Sequence, residues 1–303
     1  MRRPATRTGQ AWRRLRAYPS AVASLIILAG LGLLVVAAPL LEAMLALDAA
    51  RVDLFNRLAP PGPVHWLGTD ELGRDLLLRL LHGGRVSLLV GLSAALCTAV
   101  IGAVLGLVSG FVGGRVDDVI MRCADALISL PLLPLLIVLA AVDPAKLGLP
   151  EGVGNSASFS LYRIIAIIAI VGWPGVARLV RGTTLSLRER EFVQVAHALG
   201  LGPARIMFRH ILPNAASPLL VATTLAVGNV ILFESVLSFL GLGIHPPVPS
   251  WGNMLNGAQE LMHQAPLLAV WPGLLIFVTV IAFNLLGDGL QAALDPRAAA
   301  GSP

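Results

Sequence analysis

The sequence predicts an all-α membrane protein that crosses the bilayer with six helices. Charged residues make up only 13% of the 303 residues, about half the share of a typical soluble domain. The mean hydropathy is +0.81. Six apolar runs of roughly 20 residues are long enough to span a bilayer, and a backbone in lipid must satisfy its own hydrogen bonds, which requires helices. The predicted spans are 21–41, 86–112, 119–142, 160–180, 219–240 and 267–287.

The third of these runs is the least regular. Pro131 and Pro134 interrupt it, and Arg122 and Asp125 lie near its start. The spans still divide the chain into segments without an independent soluble domain. In order, these are an N-terminal cytoplasmic segment 1–20, the first span 21–41, an outer segment 42–85, a five-helix core 86–290 with a cytoplasmic loop 181–214, and a tail 291–303.

The distribution of basic residues predicts the orientation of the spans. If the N-terminus lies inside, the cytoplasmic segments hold 15 Lys and Arg residues and the outer segments hold 7. Cytoplasmic loops of membrane proteins carry this excess, so both termini are expected in the cytoplasm. The same rule accounts for the net charge of +5 without nucleic acid. The first apolar stretch is longer than the roughly 7–15 residues of a cleaved signal core, which favours an uncleaved anchor.

The outer segment and the second span contain two local patterns. In the outer segment, Thr69 is placed to cap an interfacial helix that begins near Asp70. In the second span, Gly102, Gly106 and Gly110 recur every four residues. Glycines at this spacing lie on one helix face and let a neighbouring backbone approach closely, which predicts a packing role.

Several kinds of chemistry are missing from the sequence. There is a single lysine, Lys146, and no phosphate-binding loop of the form GxxxxGK[ST], so this chain is not expected to bind ATP by such a loop. The metalloprotease and hydrolase patterns HExxH and GxSxG are also absent. The six histidines show no ligand spacing, and the two cysteines lie in or beside spans. The sequence therefore gives no support for an enzyme, a metal site or a disulfide framework.

Polar side chains inside the predicted spans are the candidates for a pathway, because such groups are costly in lipid. Glu234 lies in the fifth span, with Thr223 eleven residues earlier and Asn229 on a different face; Asn284 lies in the sixth. Each either lines a polar pathway or fixes helix packing through hydrogen bonds. Trp173 is followed by Pro-Gly, which is expected to break the fourth span and either shape a cavity or bend the bundle.

The cytoplasmic segment 191–214, EFVQVAHALGLGPARIMFRHILPN, is predicted to form a helix, a turn and a second helix. Glycines at 200 and 202 end the first helix, Pro203 begins the second, and Pro213 with Asn214 ends it before the fifth span. The first helix carries an apolar stripe with i, i+3, i+4, i+7 spacing, at Phe192, Val195, Ala196 and Leu199. Such a helix either lies on the lipid headgroups or docks a cytoplasmic partner.

This segment resembles the EAA loop of ABC importer permeases, whose pattern is EAA, three residues, Gly, nine residues and I-x-L-P. Gln194, Val195 and Ala196 take the EAA positions, Gly200 takes the glycine, and 212–213 match the ending. The chain departs from the pattern with Gln at 194, Val at 195 and His at 210. Further stretches, HWLGTDELGRD, LSFLGLGIHPPVPSWGNML and FNLLGDGLQAALDPR among them, are similar to permease subunits of peptide and nickel importers of the DppC/OppC type.

The resemblance implies a type I ABC importer permease of the bacterial inner membrane that forms half of a translocation pore. A homologous DppB/OppB-type permease would form the other half, two cytoplasmic ATPase subunits would bind ATP and Mg, and a solute-binding protein would deliver di- or oligopeptides at the outer face. No cofactor is implied in this chain. The resemblance assigns ATPase docking to a coupling helix formed by Gln194, Val195, Ala196, His197, Ala198, Leu199, Gly200, Leu201 and Gly202.

Three alternatives remain open at this point. The same architecture could import nickel or another small solute, which the quoted motifs do not separate from peptides. A self-contained secondary transporter would need an ion relay inside the spans, for which one glutamate and scattered amides are little material. An intramembrane enzyme would need a nucleophile or a metal set.

Overall fold

A computed structural model describes residues 13–147 and 156–294, and this part of the chain is helical, with one isolated β-bridge between Thr69 and Asp75. The first half contains α1 (Pro19–Val36), α2 (Ala38–Leu45), α3 (Leu76–Val112), α4 (Gly114–Ser129) and α5 (Leu132–Ala140). The second half contains α6 (Ala157–Arg188), α7 (Glu191–Ala198), α8 (Pro203–Ile206), α9 (Leu212–Phe239), α10 (Trp251–Gln259) and α11 (Leu267–Leu294). The extreme ends of the predicted cytoplasmic segments and part of the second outer loop lie outside the described residues.

Five of the six predicted spans are single helices in the structure, and the remaining one, the third along the chain, is bent. The five are α1, α3, α6, α9 with its preceding turns, and α11. The third predicted span is the pair α4 and α5, which meet at 90°. Leu130 between them is extended, and Pro131 caps α5. A residue before proline is disfavoured in the helical conformation, so the chain changes direction there.

The outer segment differs from its prediction. The helix begins at Leu76 rather than near Asp70, its cap is Asp75 rather than Thr69, and it continues as α3 to Val112 without forming a separate interfacial helix. Asp70 instead closes a tight turn, because its Oδ1 accepts hydrogen bonds from the backbone N–H groups of Leu72 (2.9 Å) and Arg74 (3.0 Å). These hydrogen bonds from the backbone to the Asp70 side chain stabilise a turn at the position where the sequence predicted a helix.

The glycine stripe of the second span is confirmed as a packing device. A Cβ atom at Gly102 would lie 2.6 Å from Cβ of Val176, and one at Gly106 would lie 2.5 Å from the carbonyl oxygen of Ala177. Gly110 is equally close to α6, since its Cβ would lie 2.8 Å from Cβ of Thr184. α3 and α6 therefore pack with their backbones nearly in contact, which glycine alone permits.

Two predicted helix breaks at prolines are absent. α6 continues through Pro174 to Arg188, so Trp173-Pro174-Gly175 does not break the fourth span. Pro213 lies in the first turn of α9, where a missing N–H is tolerated, so it begins that helix rather than ending the one before it. Residues 207–211 between α8 and α9 form a π-helical turn, and the fifth span thus extends inward as far as Pro203.

Candidate functional site

The loop predicted to be cytoplasmic contains a short helix, α7, that ends in a defined cap. The backbone N–H of Leu201 donates to the carbonyl of Ala196 (3.2 Å), and that of Gly200 donates to the carbonyl of His197 (3.0 Å). These two bonds form a Schellman motif, which needs a left-handed residue after the helix. Gly200 supplies it with φ of +73°, and no atom lies within 4 Å of where its Cβ would be. The glycine is therefore required by backbone conformation and not by close packing.

α7 has a buried side and an exposed apolar side, which divides the predicted stripe. Val193 (2% exposed) and Ala196 (4%) pack with Ile206 and Ile211 against the inner ends of the spans. The remaining apolar side chains of the stripe are exposed: Phe192, Val195 and Leu199. The sequence pattern identified the apolar character correctly. The prediction of one apolar stripe on a single face was wrong. Ala196 faces the spans, whereas the other three residues of the predicted stripe face away from them.

The remaining predicted docking residues lie on the accessible surface of this loop. Gln194, His197, Ala198, Gly200 and Gly202 are exposed, and Leu201 is partly buried beneath the cap. The Gln194 side chain donates from Nε2 to the carbonyl of Glu189 (3.1 Å), which is the end of α6. At the first position of the EAA pattern, this chain therefore carries a neutral amide that is hydrogen-bonded to the backbone at the end of α6.

An ion pair fixes the inner end of α6, from which α7 departs. Arg181 donates from Nε and Nη2 to the two carboxylate oxygens of Asp117, at 2.6 and 2.5 Å, and Ser109 donates to the same carboxylate. A bidentate pair of this kind holds its partners in one orientation. Arg188 adds weaker bonds to carbonyls at the end of α3. The sequence analysis used these arginines only to predict the orientation of the spans. An acidic residue at the end of one span and a basic residue at the end of its neighbour could have indicated the ion pair.

Glu234 is fully buried at the junction of α9 with α3 and α10. Its Oε2 accepts from the hydroxyl of Ser87 (3.1 Å) and its Oε1 from that of Ser238 (2.7 Å). Those hydroxyls also accept backbone N–H groups, from Trp251 to Ser87 and from Ile244 to Ser238, each at 3.2 Å. The carboxylate thus joins three elements through serines that the sequence analysis did not single out.

The other predicted pathway residues are not brought together with Glu234. Trp173 is buried between α4 and α6. Thr223 donates to the carbonyl of Leu219 (2.7 Å) on its own helix. Asn229 is exposed and Asn284 is half-buried, and neither side-chain amide has a hydrogen-bond partner among the described residues. Their assignment to a pathway or to packing stays a prediction.

The loop between α9 and α10 is tied to the outer end of α6. The backbone N–H of His245 donates to Ser160 Oγ (3.2 Å), and Arg163 donates to the carbonyl of Leu242 (3.3 Å). Burial lowers the pKa of the His245 imidazole, and the positive charge of Arg163 adds to this effect. Within residues 13–147 and 156–294, no three His, Cys, Asp or Glu side chains form a group suited to a metal ion.

Comparison with protein families gives two matches. Residues 102–300 match the model of the binding-protein-dependent transport system inner membrane component. Residues 6–61 match the N-terminal transmembrane domain of oligopeptide transport permease C. The first match includes α6, α7 and α9, and therefore the whole of the loop 181–214.

Characterised relatives are similar over nearly the whole chain. The oligopeptide transport system permease protein OppC of Escherichia coli is 42% identical over 94% of this chain and 89% of its own length. The glutathione transport system permease protein GsiD of Pectobacterium atrosepticum is 40% identical over 94% and 90%. The dipeptide transport system permease protein DppC of Alkalihalophilus pseudofirmus is 38% identical over 95% and 89%.

Proposed function

Since the chain belongs to the family of binding-protein-dependent transport system inner membrane components, we propose that it forms half of the translocation pore of an ATP-driven importer. Its substrates are di- or oligopeptides, in line with the peptide and glutathione permeases to which it is similar. A second, homologous permease forms the other half of the pore. An extracytoplasmic solute-binding protein delivers the substrate at the outer face, and both termini of this chain lie in the cytoplasm.

The observation that carries this proposal is the exposed apolar side of α7. Phe192, Val195 and Leu199 are exposed on a cytoplasmic helix whose opposite side is fixed to the spans. A short helix that presents apolar anchors on a preformed backbone binds a partner with little loss of conformational freedom. The occupant is an ATPase subunit, because this chain has no phosphate-binding loop of its own and an importer needs a source of energy.

The connection of α7 to the spans lets the docked helix transmit movement. α7 begins directly after α6, whose inner end is held by the Asp117–Arg181 pair, and it ends in the capped turn that leads into α9. A displacement of α7 by the ATPase therefore moves α6 and α9 together instead of deforming a flexible loop. ATP and Mg are bound in the ATPase subunits, and closure of those subunits drives the change between inward- and outward-facing pores.

The relatives favour peptides over the alternatives. Their names refer to dipeptide, oligopeptide and glutathione transport, whereas nickel import rests only on motifs shared within the wider family. A secondary transporter finds less support, because Glu234, the buried carboxylate of α9, accepts hydrogen bonds from two serine hydroxyls. Uptake of labelled peptides, dependent on ATP hydrolysis by a co-purifying subunit, distinguishes the importer from a carrier that needs only an ion gradient.

The docking of α7 is tested by substitution of Gly200. A left-handed conformation costs an L-residue about 1–2 kcal/mol, so Gly200→Val lowers the equilibrium constant for forming the capped turn by roughly 5- to 30-fold. We expect the permease to insert normally, to recruit several-fold less ATPase in a pull-down, and to lose uptake in proportion. Gly200→Asn should be milder, because Asn tolerates the left-handed region better.

Gly182→Ala is the matched control for this series. Gly182 lies inside α6, outside the residues assigned to docking, and its Cβ position is open, so alanine fits without strain. Recruitment and uptake should stay at wild-type levels in this variant. If Gly200→Val recruits as much ATPase as Gly182→Ala and transports normally, α7 is not the docking element.

A further inference from the structure

A basic cavity lies beside the capped turn, where the fifth span begins. It has a volume of about 450 Å³ and is lined by Leu201, Arg205, Arg209 and His210. Arg205 and Arg209 are one helical turn apart. The π-helical turn 207–211 has more residues per turn than an α-helix, which rotates His210 towards the same side. The three basic side chains therefore converge on one space.

The positive charge of this cavity has no counterpart in the described chain. Neither Arg205 nor Arg209 lies within salt-bridge distance of a carboxylate among residues 13–147 and 156–294. Two other arginines at the predicted inner face are paired, Arg178 with Asp125 and Arg181 with Asp117. An imidazole offers an N–H donor in either protonation state, so His210 adds to the donors. The cavity is suited to an anion that several donors bind at once.

The surroundings indicate that this anion is attached to an apolar chain. Phe208, which directly precedes Arg209 in the chain, is half exposed. From Arg209, the face at i+4, i+7 and i+11 is exposed and apolar, with Pro213, Ala216 and Leu220. Leu220 lies about 16 Å further along the helix axis, at 1.5 Å per residue, inside the predicted span. The acyl chain of a headgroup held at the arginines would thus lie along an exposed apolar helix face that runs into the predicted span.

We propose that this cavity binds the phosphate headgroup of an anionic phospholipid of the inner leaflet. The guanidinium groups bind the phosphate oxygens, for which their planar donor fork is well matched. The acyl chain lies along the exposed face towards Leu220. The site rests on the cytoplasmic position of residues 181–214 but not on which partner docks at α7. It would anchor the inner end of the fifth span next to the turn on which the docking helix depends.

The test measures lipid retained by the complete transporter complex. The complex is purified in detergent and incubated with phosphatidylglycerol or phosphatidylcholine, and bound lipid is counted by native mass spectrometry. We expect wild type to retain phosphatidylglycerol and to release phosphatidylcholine. Each basic residue near an anionic headgroup contributes about fivefold in affinity, so Arg205→Gln with Arg209→Gln should weaken retention by about 25-fold. Arg51→Gln with Arg57→Gln, in the outer segment, should leave it unchanged.

Three results would overturn the proposal. Equal retention of the two lipids by wild type would show that the cavity does not select an anionic headgroup. This comparison uses the wild-type complex alone and does not depend on the folding of a variant. Displacement of phosphatidylglycerol by soluble glycerol phosphate would indicate a site for a free phosphate compound. Unchanged phosphatidylglycerol retention with reduced ATPase recruitment in the double variant would assign the cavity to the ATPase interface. Recruitment in the Gly200 series is measured separately, so failure of the lipid site leaves the docking proposal intact.

Discussion

Gly106→Ala is predicted to push apart α3 and α6, whose backbones are nearly in contact at this position. The added Cβ would lie 2.5 Å from the carbonyl oxygen of Ala177 and 2.9 Å from Cβ of Val180. Carbon atoms in normal contact are about 3.5–4.0 Å apart, so α3 and α6 would have to separate by about 1 Å. Overpacking of this kind costs about 1–3 kcal/mol. The obstacle is backbone on one side, which does not rotate away as a side chain would.

Gly182→Ala is the matched control, since the same substitution on α6 meets no atom within 4 Å. Alanine is favoured over glycine inside a helix by about 0.8–1.0 kcal/mol, so this variant should be as stable as wild type or more stable. The assay is thermal unfolding of the purified complex, followed by loss of its size-exclusion peak. We expect the midpoint for Gly106→Ala to fall by at least about 2 °C relative to the control. Equal midpoints for the two variants would refute the close backbone contact.

The remaining predictions concern topology and the buried carboxylate. A reporter fused near Gly257 should be accessible only from outside and one near Arg205 only from the cytoplasm; reversed labelling would contradict the six-span arrangement. Glu234→Gln should reduce the amount of assembled complex, because an amide N–H₂ would face a serine hydroxyl that now donates, at a cost of about 1–3 kcal/mol. The complex that does assemble should transport at the normal rate, and a selective loss of uptake with normal assembly would instead place Glu234 in the pathway.

The sequence was sufficient for the features that depend on composition and period. Five of the six predicted spans, the glycine stripe and the end of α7 at Gly200 follow from apolar length, four-residue spacing and turn chemistry. The prolines were harder to interpret. Pro131 accompanies a 90° change of direction, whereas Pro174 lies in a continuous helix and Pro213 begins one. A proline leaves one carbonyl without its donor wherever it occurs, and the packing around it decides whether the helix continues.

Contacts between distant parts of the chain were the part that sequence reasoning missed. Glu234 was identified as a polar group in a span, but Ser87, which binds it, is 147 residues away. The partition of α7 into a buried and an exposed side was also missed. A stripe with helical spacing predicts which residues are apolar, and only the position of the helix against the spans decides which of them are covered.

Site-specific photo-crosslinking from α7 tests the central claim most directly. A photoreactive amino acid replaces Leu199, which is 75% exposed, in the assembled complex. Matched positions are Val193 on the buried side of the same helix and the fully exposed Phe55 in the outer segment. The account predicts an adduct with the ATPase subunit from position 199 and none from 193 or 55. Adducts of position 199 with lipid, and none with the ATPase, would show that α7 lies on the membrane surface and would contradict the proposed coupling.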